Sequence, residues 1–185
     1  MIVSILGWFG AGLYLLNHAY LALKKGHESA LYYWLNLIAA VALVVSSAAI
    51  YSWQPVITNA FWVVVSALAL LRAPREATQR TMMIRESWVV WPIAAALSVG
   101  AAVALGRFYL GLSIIGWGGT VLFSTAYLMF ATGAIARPRF LIYNAIAAFA
   151  LAPILFLDAN WPVFALEIVW GITSLAGWRS ALEPA

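Results

Sequence analysis

The sequence contains no cysteine. Disulfides, thiol nucleophiles and thiolate-held metals are therefore excluded. It is also poor in charge. Only 9% of its residues are charged, against about 25% in an ordinary soluble domain. Acids are scarcest, at six Asp and Glu, so a carboxylate inside an apolar run stands out. What fills the chain instead is apolar: 65% of its 185 residues are hydrophobic, where a soluble domain has about 45–50%. No soluble core of this length needs so much apolar surface, and the class indicated is an integral membrane protein.

Catalytic signatures are missing too. There is no H-E-x-x-H, G-x-S-x-G, paired Asp or Gly-rich phosphate loop, so neither an enzyme nor a cofactor is expected. His18 and His27, with Glu28 the only nearby acid, make a poor metal set. The start, MIVSILGW, lacks a cationic n-region and reads as a retained helix rather than a cleaved signal peptide.

Seven apolar segments are long enough to span a bilayer: roughly 2–23, 30–51, 56–72, 88–106, 109–131, 140–157 and 162–178. Placed on alternating sides, Lys24, Lys25, Arg72, Arg75, Arg80, Arg85, Arg137, Arg139 and Arg179 fall on one side and Arg107 alone on the other. Positive charge stays inside, so the N-terminus is expected outside and the C-terminus in the cytoplasm. The basic residues thus follow topology, and nucleic acid is not an expected partner. The loop 73–87 is expected to extend helix three or lie on the membrane surface.

An internal repeat organises the rest. LNLIAAVAL (35–43) aligns with YNAIAAFAL (143–151) at an offset of 108, which also pairs Asn36 with Asn144, Trp53 with Trp161 and Trp62 with Trp170. GWFG (7–10) matches GWGG (116–119) and AYL (19–21) matches AYL (126–128), with small shifts of register. Three helices end on the side opposite their start, so helix four restores the direction and the two copies run parallel. The fold class expected is an all-α membrane protein of seven transmembrane helices. It divides into a first three-helix repeat (1–72), a loop plus linker helix (73–108) and a second repeat (109–185).

This 3+1+3 layout resembles the SWEET sugar carriers and the nicotinamide-riboside permeases. The likeness is topological, because the Pro-Gln hinge typical of SWEET helices one and five is absent; the only such neighbours are Gln54-Pro55, reversed and in a loop. The GW-x-G starts, the AY closing helix one, the LNLIAA-like second helix and the NAFW-type third helix resemble more closely a family of uncharacterised bacterial inner-membrane units of three helices, some labelled "permease". That resemblance implies the fold and a bacterial inner-membrane location, and no defined activity.

One carboxylate, Glu167, sits in VFALEIVWGITSLAGW (163–178), about 7–8 Å into its helix. Its repeat partner is Asn59, and each stands three residues before a Trp, so each polar group shares a helix face with an indole. If the copies face each other across an axis, Asn59, Trp62, Glu167 and Trp170 line a cavity that suits flat, ring-shaped or cationic solutes. Glu167 there could also exchange protons. Asn36 and Asn144 could add substrate contacts or an inner gate, or hydrogen-bond helix to helix. The expected function is a carrier for a small polar or ring-containing metabolite, with proton coupling as an option. The alternative is a non-transporting structural or regulatory membrane protein. The bilayer, a small-molecule substrate and a second copy of the chain are the partners expected.

Overall fold

The computed structural model describes residues 1–23, 29–71 and 86–182. Lys24, Lys25, Arg72, Arg75, Arg80, Arg85, His27 and most of the 73–87 loop lie outside these residues. Among the described residues the chain is all helix: α1 (Ile2–Leu23), α2 (Ala30–Ala48), α3 (Trp53–Leu70), α4 (Glu86–Ala104), α5 (Phe108–Ala131), α6 (Arg137–Leu157) and α7 (Trp161–Leu182). The helices satisfy their own backbone, as lipid demands. Five of them, α1, α2, α3, α5 and α6, are long and apolar enough to cross a membrane. The sequence reading expected seven spans. Helix α4 offers a shorter apolar stretch, Val89–Ala104, and α7 carries Glu167 and Arg179. The chain is a multi-pass membrane protein.

Six helices close a ring. Each packs on the next in the order α1, α2, α3, α5, α6, α7 and back to α1, while α4 packs on α5 outside it. At one end of the α1–α7 seam a Cβ on Gly7 would lie 3.1 Å from Pro162; at the other, one on Gly177 would lie 2.6 Å from the Ala22 carbonyl. The two helices therefore run parallel. The α3–α5 seam joins the same helices of the opposite copies, so the repeats are parallel and related by a pseudo-two-fold axis along the bundle.

The stretch that repeats most clearly is also buried most deeply. Asn36, Ala39, Ala40 and Leu43 on α2, and Asn144, Ala147, Ala148 and Leu151 on α6, are at most 1% exposed. Their i, i+3, i+4, i+7 spacing is one helix face. Small residues there let backbones approach: a Cβ on Gly10 would meet the Ala39 carbonyl at 3.0 Å, and one on Gly119 the Ala147 carbonyl at 2.9 Å. Gly10 and Gly119 differ by 109 positions, Ala39 and Ala147 by 108. Thus α1 and α5 correspond at an offset of 109, and the AYL match at 107 is not structural: Tyr20 is 56% exposed whereas Tyr127 is fully buried. Large apolar side chains such as Trp8, Leu16, Trp91 and Phe108 face outward, as a lipid-facing surface requires.

The turns after α2 and α6 repeat as well. Ser52 N–H donates to the Ser47 carbonyl and Tyr51 N–H to Ala48; Asn160 N–H donates to Leu155 and Ala159 N–H to Phe156. Each is a Schellman-type stop with its left-handed residue filled without glycine, Tyr51 at φ 58° and Ala159 at φ 52°. Ser52 donates to Asp158 at 3.1 Å and Asn160 to Ser47 at 3.2 Å, tying the two turns together.

Candidate functional site

On the pseudo-two-fold axis, four aromatic rings meet. Tyr14 of α1 and Phe123 of α5, equivalent at the offset of 109, stand between Trp62 of α3 and Trp170 of α7. Tyr14 lies 5.3 Å from Trp62 and 5.7 Å from Trp170 between ring centroids, and Phe123 lies 6.3 and 6.1 Å from the same two. All four contacts are edge to face, the arrangement that ring quadrupoles favour. The tryptophans sit about 14 Å into helices α3 and α7, at 1.5 Å per residue.

Each tryptophan is clasped from the other copy. His18 of α1 stacks on Trp170 at 3.7 Å, and its Nε2 lies 2.8 Å from Ser174 Oγ. Tyr127 of α5 stacks on Trp62 at 4.0 Å, and its hydroxyl lies 3.1 Å from Ser66 Oγ. His18 and Tyr127 are equivalent at the offset of 109, Ser66 and Ser174 at 108. One clasp, repeated about the axis, joins the two copies along both seams. The serines stand one turn beyond the tryptophans, so a single helix face presents ring and hydroxyl together.

Beside the aromatic cluster lies a narrow, partly open cavity. Its wall holds Asn59, Trp62, Glu167 and Trp170, together with Tyr14 and Phe123 from the cluster. Thr58 and Pro55 of α3, Leu166 of α7 and Leu151 of α6 complete it. Asn59 and Glu167 are each 6% exposed, about 9 Å from the starts of α3 and α7. Asn59 donates to the Pro55 carbonyl at 2.7 Å and Thr58 to Gln54 at 3.1 Å, both within their own helix. Among the described residues, three that line this wall also bury a polar atom with no hydrogen-bond partner: Glu167 Oε2, Tyr14 OH and Trp62 Nε1. A polar atom buried without a partner is costly, so their gathering at one cavity marks it as the candidate binding site.

Asn36 and Asn144 lie away from the cavity wall and make helix-to-helix hydrogen bonds. Asn36 accepts from Asn17 Nδ2 at 2.9 Å and donates to the Tyr127 hydroxyl at 3.2 Å. Asn144 accepts from Trp170 Nε1 at 2.9 Å and donates to the Phe140 carbonyl at 2.7 Å. Their amides hold the walls in place from behind. The match is imperfect. Asn17 occupies the acceptor of Asn36, while the indole N–H of Trp62, the counterpart of Trp170, is without a partner. Tyr14, Phe123 and His18 were missed by sequence reading. The one-residue difference in offset between α1/α5 and α2/α6 was the signal that could have paired them.

Among the described residues, no group of three or more His, Asp or Glu is placed to hold a metal ion. A profile of one family, which is uncharacterised, matches the chain twice, over residues 3–77 and 112–184. Among curated proteins nothing matches the chain, and nothing matches among solved structures.

Proposed function

We propose that this chain, which belongs to the uncharacterised family whose unit it carries twice, is a carrier for a small polar solute in the bacterial inner (plasma) membrane. The observation that carries this reading is the cavity on the axis between two parallel three-helix copies, with Glu167 Oε2, Tyr14 OH and Trp62 Nε1 unpartnered in its wall. Parallel repeats with a central binding site are the plan of SWEET-like carriers. Here the two clasps, His18 on Trp170 and Tyr127 on Trp62, are the seams along which one copy would rock against the other. Trp62, Trp170, Asn59 and Glu167 line the substrate path, and Asn36 and Asn144 brace it. No catalytic step is assigned.

The positive-inside rule places the N-terminus outside and the C-terminus in the cytoplasm. Arg137, Arg139 and Arg179 then lie at the inner end, and the cavity opens into the outer half of the bundle. Proton coupling through Glu167 belongs to the same reading, and a second copy of the chain is the further partner.

The test is uptake by proteoliposomes of amino acids, sugars, nucleosides and amines, with and without a proton gradient. Protein-dependent uptake that falls at least about tenfold in Glu167→Gln and Trp170→Ala is expected. Flux untouched by both substitutions would remove the site; no flux of any solute class would remove the carrier. The narrowness of the cavity favours one second reading, a non-transporting structural or regulatory protein. In that case Glu167→Gln would change stability and nothing else.

A further inference from the structure

We infer that the cavity selects a small protonated amine that also carries a hydrogen-bond acceptor, such as an amino alcohol. This deepens the carrier reading and rests on it for the site alone. The first ground is charge. Among the described residues Glu167 is the one carboxylate on the wall, and no Lys, Arg or His shares it. The basic groups with described contacts are engaged elsewhere: Arg137 donates to the Ala22 carbonyl, Arg139 pairs with Glu86 at 2.8 Å, and His18 lies against Trp170 with its Nε2 on Ser174. The acid is 6% exposed and its Oε2 has no donor. A carboxylate so placed is matched by an occupant that brings the missing positive charge and N–H donors.

The second ground is the character of the wall. Four of its side chains are aromatic, Tyr14, Trp62, Phe123 and Trp170. Aromatic faces are negative and attract ammonium groups, most strongly away from water. An anion offers neither the positive charge nor the N–H donors that a buried carboxylate lacks, and the aromatic wall does not favour it. The third ground is the pair of donors. Tyr14 OH and Trp62 Nε1 are buried and unpartnered, and they call for an acceptor on the same solute. A hydroxyl a few atoms from the ammonium answers both. The cavity is narrow, so the solute is small.

The asymmetry of the repeat gives the inference its own handle. Asn59 and Glu167 are equivalent at the offset of 108 and both line the cavity, yet only one is an acid. Moving the acid across the axis, as Asn59→Glu with Glu167→Gln, keeps one carboxylate on the same wall.

Three probes of similar size separate the charge classes: ethanolamine, ethylene glycol and glycolate. Their binding is measured by equilibrium dialysis of the purified full chain at pH 7, and their uptake in proteoliposomes. Ethanolamine is expected to bind at least about tenfold more tightly than either of the others, about 1.4 kcal/mol. Glu167→Gln should lose that preference, and the swapped pair should regain part of it. Circular dichroism and gel filtration establish that each variant is folded. If Glu167→Gln does not fold, the swapped pair and Trp62→Phe carry the comparison, with weaker ethanolamine binding expected in Trp62→Phe. Glycol or glycolate binding as tightly as ethanolamine, or a folded Glu167→Gln that keeps the preference, overturns the inference. Uptake of neutral solutes with ethanolamine ignored would leave the carrier standing and remove the amine. Ethanolamine binding as expected, with no solute crossing, would do the reverse.

Discussion

Trp62 and Trp170, 108 residues apart in the chain, meet with ring centroids 5.6 Å apart and planes at 72°. They are the same position in two copies of one unit, brought together because the third helix of each copy packs on the first helix of the other. The contact exists only because the unit is doubled. It puts the least polar surface of the site at the axis and leaves the polar positions, Asn59 and Glu167, about one turn away on the same helices.

Equivalent tryptophans should not have equal effects on stability. Trp170 Nε1 donates to Asn144 at 2.9 Å, whereas Trp62 Nε1 has no partner. Both indoles are 3% exposed and both stack on a ring from the other copy. Replacement by Phe removes similar area at either site, so the difference isolates the hydrogen bond. Trp170→Phe should destabilise by about 1–3 kcal/mol more than Trp62→Phe, the cost of leaving a buried acceptor unpaired. Thermal unfolding in one detergent measures it, and equal losses would contradict the assignment of that bond.

The order of helices, the doubling and the pairing of Trp62 with Trp170 were legible because hydropathy and tryptophan spacing survive in sequence. So was the pairing of Asn59 with Glu167, since both lie in helices that share one offset. The aromatic partners Tyr14 and Phe123 were not legible. Identical letters at AYL drew α1 and α5 into a register of 107, while packing of Gly10 and Gly119 on carbonyls of the second helices holds them at 109. Close backbone approach, not side-chain identity, sets that register. The clasps were hidden for another reason: histidine and tyrosine do one job at equivalent places, which a search for matching residues passes over. The two helices outside the set of apolar spans are less apolar or shorter than the sequence reading expected. Within the ring, α7 lies between α1 and α6 and buries Glu167 and Ser174 against protein, so it needs less hydrocarbon-like surface than a helix ringed by lipid.

The glycines at those approaches separate packing from propensity. A Cβ at Gly119 would stand 2.9 Å from a backbone oxygen and one at Gly10 3.0 Å, while Gly12 has nothing within 4 Å. Gly10→Ala and Gly119→Ala should each cost about 1–3 kcal/mol as the helices are forced apart. Gly12→Ala should be neutral or stabilising by up to about 1 kcal/mol, because alanine is the better helix former. Unfolding midpoints of the three variants, compared in one detergent, decide this. Similar losses at all three would mean that glycine serves flexibility here rather than contact.

The two turns offer a gain instead of a loss. Tyr51 and Ala159 hold φ values of 58° and 52°, where a Cβ crowds the following carbonyl at a cost of roughly 1–2 kcal/mol. Glycine relieves that crowding and gives back part of the gain through its freer unfolded state. Ala159→Gly should therefore raise stability by up to about 1 kcal/mol, whereas Ala159→Val should lower it, since a β-branched residue tolerates this region poorly. Tyr51→Gly should follow Ala159→Gly if the turns are equivalent. A stabilising Val at position 159, read from the unfolding midpoint, would refute the left-handed assignment.

Orientation decides which face of the membrane the cavity serves, and the missing cysteines make it easy to read. A thiol introduced at Ala159, exposed in the α6–α7 turn, would be the only one in the chain. A membrane-impermeant maleimide added to intact cells should label it. A thiol at Arg139, whose side chain is 63% exposed beside Glu86 at the other end of α6, should label only after the membrane is opened. Replacing Arg139 removes one exposed ion pair, worth about 0–1 kcal/mol, so the variant should fold as the parent does. The reverse labelling pattern would put Arg137, Arg139 and Arg179 outside, against the positive-inside rule. It would also turn the cavity toward the cytoplasm, and a solute entering there would be leaving the cell.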